Sequence, residues 1–107
     1  MNVVRPPGGF NIVVKPEVQA YIDAETRDNF RVGQFWLDIL ERLKITGLKE
    51  GDQVPRTTRP RFTFIADGAP DFNLPTIKIG YECFADTLTV IGALVYQDED
   101  YEDGGRM

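Results

Sequence analysis

The stretch LPTIKIGYECFADTLTVIGALVY, residues 74–96, decides the fold. Its first half alternates, with Ile77, Ile79, Tyr81 and Cys83 on one side and Thr76, Lys78, Gly80 and Glu82 on the other. Strict alternation in β-branched and aromatic types predicts a half-buried strand. A second β-rich run, residues 87–96, follows after only Ala85 and Asp86. Pairing Phe84 with Thr87 sets Cys83 against Leu88, Tyr81 against Val90, Ile79 against Gly92 and Ile77 against Leu94. That register gathers the apolar side chains on one face, and a slip of one residue would scatter them. The expected unit is a β-hairpin, although Ala-Asp is not the Asn-Gly or Asp-Gly pair that two-residue turns favour.

Upstream, residues 30–44 place Val32, Phe35, Trp36, Ile39, Leu40 and Leu43 three and four apart. Arg31, Gln34, Asp38, Glu41, Arg42 and Lys44 take the other face. This spacing predicts an amphipathic helix, capped by Asp28 or Asn29 and ending near Gly47, whose stripe covers the apolar face of the hairpin. A shorter helix precedes it, with Pro16 in its first turn and Val18, Tyr21 and Ile22 as its stripe. Residues 10–15, FNIVVK, read as a first strand, and residues 61–67, RFTFIAD, as another with Phe62, Phe64 and Ala66 on one side. Between helix and strand, residues 49–60 read as a polar loop. The predicted fold is α+β, two N-terminal helices on one face of a small antiparallel sheet, in the order β-α-α-β-β-β. Residues 10–96 form its single domain, residues 1–9 a loose arm, and residues 97–107 an acidic tail.

Charge is unevenly spread. The chain of 107 residues carries a formal net charge of −5. The tail QDEDYEDGGRM holds five acids against Arg106, which leaves −1 for residues 1–96, where 12 acids oppose 11 bases. The body therefore lacks the general basic character of a nucleic-acid binder. Histidine is absent and there is one cysteine, so Ser-His and Cys-His pairs, imidazole ligands and thiolate zinc sites are excluded. Nothing in the residues calls for a cofactor or a metal. A lone cysteine, no leader-like apolar core and no membrane-length apolar run lead to the expectation of a cytoplasmic protein.

Two groups of cations are candidates for chemistry. Lys49, Arg56, Arg59 and Arg61, beside Thr57 and Thr58, have the guanidinium forks that match phosphate oxygens. An ordinary solvated loop explains the same residues. Lys78 stands on the outward side of its strand, with Arg61 and Thr63 expected on the neighbouring one. Such a row is either a substrate platform or the plain polar side of a half-buried sheet. The carboxylates of DEDYED lack calcium-loop spacing and read as a solvated run, with Tyr101 as its aromatic. Cys83, Phe35 and Trp36 read as core.

The element order, and IKIGYECFADTLTVIGALV in particular, resembles the RelE/ParE superfamily of bacterial toxin–antitoxin toxins over roughly residues 10–96. The resemblance implies basic residues at Lys78 and Arg61, with Arg59 nearby, that stabilise messenger-RNA phosphate in the cleaving members. Those members carry a further basic residue after the last strand and an aromatic beyond it. Here Gln97, Asp98 and Glu99 follow, with Tyr101 as the only aromatic, and carboxylates there repel a phosphate. The expectation is thus a toxin-like component that acts by binding protein, its partner a small antitoxin or another protein target, with no membrane involved. A ribosome-dependent endonuclease is the alternative, with Arg56, Arg59, Arg61 and Lys78 holding RNA phosphate and Arg61, Lys78 and Tyr101 as catalytic groups. An inactive relative or phage-borne domain is the third reading.

Overall fold

Residues 8–54 and 60–96 are described by the computed structural model. In chain order the elements are β1 (Asn11–Val14), α1 (Pro16–Asp28), α2 (Phe30–Glu50), β2 (Asp52–Val54), β3 (Arg61–Ala66), β4 (Thr76–Phe84) and β5 (Thr87–Tyr96). One five-stranded sheet runs in the order β1-β5-β4-β3-β2, and both helices lie on one face of it. No helix among the described residues is long and apolar enough to cross a membrane.

The expected α+β class holds, but the sheet is mixed rather than antiparallel. β1 pairs with β5 in parallel, Asn11 beside Thr87 and Val14 beside Val90. Apolar alternation along an edge strand is the same for either direction, so only the path of the chain between β1 and β5 decides it. The order also gains a strand. From sequence, residues 49–60 read as a polar loop, yet Asp52–Val54 pairs antiparallel with β3, making the order β-α-α-β-β-β-β. Three residues between Gly51 and Pro55 are too few to show a period, which is how short edge strands stay inconspicuous.

The hairpin forms as read from its turn outward. Phe84 pairs with Thr87, Cys83 with Leu88 and Tyr81 with Val90. Beyond that the register shifts between Gly80 and Tyr81: Ile79 faces Ala93 rather than Gly92, and Ile77 faces Val95 rather than Leu94. Ile91 is the extra residue of a β-bulge. The inserted residue reverses the phase of β5, so Ala93 and Val95 pack toward the core while Leu94 turns outward. Ala85 takes the turn with φ of +54°, which a residue with a Cβ adopts at some cost.

Helix α2 supplies the roof. Val32, Trp36, Ile39 and Leu43 are buried against Phe62, Phe64, Ile77, Ile79, Tyr81, Leu88 and Val90, with Phe35 and Leu40 packed beside them. Asn29 is the N-cap: its side-chain oxygen accepts from the Arg31 N–H, while its amide donates to the Asn73 carbonyl at 2.8 Å. The Trp36 Nε1–H is buried with no hydrogen-bond partner among the described residues, so packing outweighs the cost of its lost water contact. α1 contributes Val18 and Ile22, and the Tyr21 hydroxyl accepts the Val95 N–H at 2.9 Å. That contact occupies part of the β5 edge that β1 is too short to reach.

The end of α2 departs from its prediction. The helix does not stop at Gly47 but continues to Glu50 across a break at Thr46, whose φ and ψ are −121° and 17°. The carbonyl of Gly47 accepts a buried hydrogen bond from the Tyr81 hydroxyl, and that of Lys44 accepts the Phe10 N–H at 2.9 Å. Gly47 is required here for closeness of approach, since a Cβ would lie 2.5 Å from Leu88 Cδ1 in the core. Tyr81→Phe is expected to lower unfolding free energy by about 1–2 kcal/mol, measured by chemical denaturation, because it removes the buried hydrogen bond to the Gly47 carbonyl.

Cys83 sits fully buried between these elements. Burial pushes its thiol up from 9.0 to about 11. The unfolded chain therefore loses this proton first as pH rises. Its contribution to stability is complete below about pH 9 and is lost toward pH 11, with a slope of at most roughly 1.4 kcal/mol per unit. Denaturation curves at intervals from pH 8 to 11 should show this slope in the wild-type chain and not in Cys83→Ala.

Candidate functional site

With the helices on one face, none of the described elements covers the other. Strand register lays out its surface in rows. Ile65, Lys78 and Leu94 are neighbours across β3, β4 and β5, and Thr63, Gly80 and Gly92 form the next row. Arg61, Glu82, Thr89 and Val13 make the third, spanning four strands. The Gly80–Gly92 pair leaves bare backbone mid-sheet, with Ile91 Cγ1 lying 3.8 Å from where a Gly80 Cβ would stand.

Apolar side chains dominate this surface. Val13, Ile65, Phe84 and Leu94 are 41–52% exposed, and Val54 stands at the β2 edge. A monomeric protein rarely leaves so many large apolar groups on one contiguous face without a use for them. The bulge contributes directly, because Leu94 would point into the core if β5 kept its original phase.

The predicted cations are placed differently from a phosphate cradle. Arg61 Nε is 3.0 Å from Glu82 Oε2, so its charge is already matched across the β3–β4 pair. Lys78 is exposed on the same face, between Ile65 and Leu94, with no ion-pair partner among the described residues. Glu82 and Lys78 are four residues apart on β4, so Arg61 and Lys78 stand about 13 Å from each other along the strands. The Arg61 guanidinium is held by Glu82 instead of being drawn toward Lys78. Arg56, Arg59, Tyr101 and the Lys49 side chain lie outside the described residues, as does the acidic tail from residue 97 onward.

Two features of this face escaped the sequence reading. The row Ile65–Lys78–Leu94 depends on the bulge, which the hairpin register did not include. A signal for it exists in the run Val90-Ile91-Gly92-Ala93, where apolar alternation changes phase next to a mid-strand glycine. Val13 joins this face only through the pairing of β1 with β5, which the residues of β1 do not specify by themselves.

No family model, no curated protein and no solved structure matches the chain.

The outward apolar residues contribute little to folding. Ile65→Glu and Leu94→Glu should each change unfolding free energy by less than about 1 kcal/mol. The inward Ile79→Ala should cost about 2–5 kcal/mol in the same denaturation series.

Proposed function

We propose that this chain is the toxin-like component of a bacterial toxin–antitoxin pair and acts by binding protein, without nuclease chemistry. What carries the reading is the uncovered sheet face, where exposed Ile65, Leu94, Phe84 and Val13 surround Lys78, which has no ion-pair partner among the described residues. Such a mixture is the composition of a protein interface: an apolar centre with a few charges that set orientation. The class of partner, a small antitoxin or a protein target, comes from the resemblance of the hairpin sequence IKIGYECFADTLTVIGALV to RelE/ParE toxins.

The endonuclease alternative draws on exposed Lys78. It is weakened by the Glu82 carboxylate against Arg61, which offsets the charge that would stabilise a phosphorane-like transition state. Acids following the last strand act in the same direction.

Controlled expression in a bacterial host distinguishes the two. Wild-type protein is expected to arrest growth without cutting messages. Combined Ile65→Glu and Leu94→Glu should relieve the arrest, and Lys78→Ala should leave it nearly intact. Message cleavage that disappears in Lys78→Ala would instead establish the nuclease, and unimpaired growth with the wild-type chain would remove both toxin readings.

A further inference from the structure

The sheet face left open by the described elements has a charge pattern centred on one point. On β4, Lys78 and Glu82 stand on either side of Gly80, a cation and a carboxylate each about 7 Å from it. Gly80 pairs with Gly92, so the midpoint between the charges carries no side chain. A Cβ at Gly92 would meet nothing within 4 Å, and one at Gly80 would meet Ile91 Cγ1 at 3.8 Å. Arg61 does not use up the carboxylate. Its Nε takes Glu82 Oε2, and Oε1 has no hydrogen-bond partner among the described residues.

A surface whose opposite charges are equidistant from a bare centre is complementary to itself, which is the requirement of an isologous interface. We propose that two copies of this chain stack through these sheets about a two-fold axis that crosses β4 over Gly80, Lys78 of each meeting Glu82 of the partner subunit.

Charge selects the orientation. A two-fold axis relating stacked sheets runs either along the strands or across them. Along β4 it would set lysine over lysine and glutamate over glutamate, which repel. Across β4 at Gly80 it reverses the strand, so Lys78 lies over the partner's Glu82 and Glu82 over the partner's Lys78. Stacked sheets lie about 10 Å apart, a gap that a lysine and a glutamate span end to end. The neighbouring strands follow the same operation. Ile65, level with Lys78, comes over the aliphatic stem of the partner's Arg61. Leu94 comes over the partner's Thr89, beside the partner's Val13. Both exposed apolar residues of that row are thereby covered.

The area is sufficient. At about 4.8 Å between strands and 3.3 Å per residue, the five strands present roughly 500 Å² on this side before side-chain relief is counted. Two copies therefore remove about 1,000 Å² in all, the size at which specific interfaces begin. This inference goes beyond the toxin reading and does not rest on it. Because the same face is used, self-association and binding of another protein exclude each other, and chain concentration sets how much of the face is open.

Sedimentation equilibrium of the purified full chain tests this. Wild-type protein is expected to form a reversible dimer at about 100 μM and above. Lys78→Glu and Glu82→Lys should each raise the dissociation constant at least about tenfold, by setting like charges against each other. An equimolar mixture of the two variants should regain dimerisation, because each presents the charge the other lacks. Denaturation midpoints show that both variants fold; should Glu82→Lys fail there, Lys78→Glu alone decides, since its side chain is exposed. A wild-type chain that stays monomeric to about 1 mM would overturn the proposal. So would a dimer indifferent to Lys78→Glu, or folded variants that stay apart when mixed. The toxin reading fails separately, on growth: a monomer that arrests growth sinks only the dimer, and a dimer that leaves growth unimpaired sinks only the toxin.

Discussion

Two carbonyls at the end of α2 hold the architecture together. That of Gly47 receives the Tyr81 hydroxyl from the centre of the sheet, and that of Lys44 receives the Phe10 N–H at the start of β1. Both are groups of the kind a helix terminus leaves unsatisfied and an interior cannot tolerate. The break at Thr46 comes where these bonds are made, and a glycine at 47 lets the helix approach until Leu88 fills the space a Cβ would take. Helix roof, central strand and edge strand are thereby fixed at one point. Tyr81 also stacks on Phe62, with ring centroids 5.3 Å apart, which carries the same anchor into β3.

Once that face is closed, the other is left to serve whatever the protein does. The bulge at Ile91 has the largest consequence for it. One added residue sends Ala93 and Val95 inward, Leu94 outward, and places Ile91 over the bare backbone of Gly80. The surface that results is apolar with scattered charge. The ion pair of Arg61 with Glu82 is partly exposed and worth little to stability, so its effect is on the character of the face. A neutralised arginine and a distant lysine suit contact with a protein better than a grip on a phosphate. The sheet face offers side chains, and recognition there would be read by shape and apolar contact.

Local periodicity determined a good deal by itself. The α2 stripe from Val32 to Leu43, the buried alternation of Ile77, Ile79, Tyr81 and Cys83, and the pairing of Phe84 with Thr87 are each written in residues close together in the chain. The inward side of a strand or helix is fixed by which residues must leave water, so these readings needed no distant information. Tertiary structure alone decided the rest. The parallel pairing of β1, the strand at Asp52–Val54, the continuation of α2 past Gly47 and the outward turn of Leu94 all depend on neighbours far along the chain. Backbone hydrogen bonds and close packing select among local conformations of nearly equal energy, and their partners are specified only when the whole chain has closed. Arg61 illustrates the limit most directly: its sequence neighbours suggested a phosphate grip, and Glu82, twenty-one residues away, gave it a carboxylate instead.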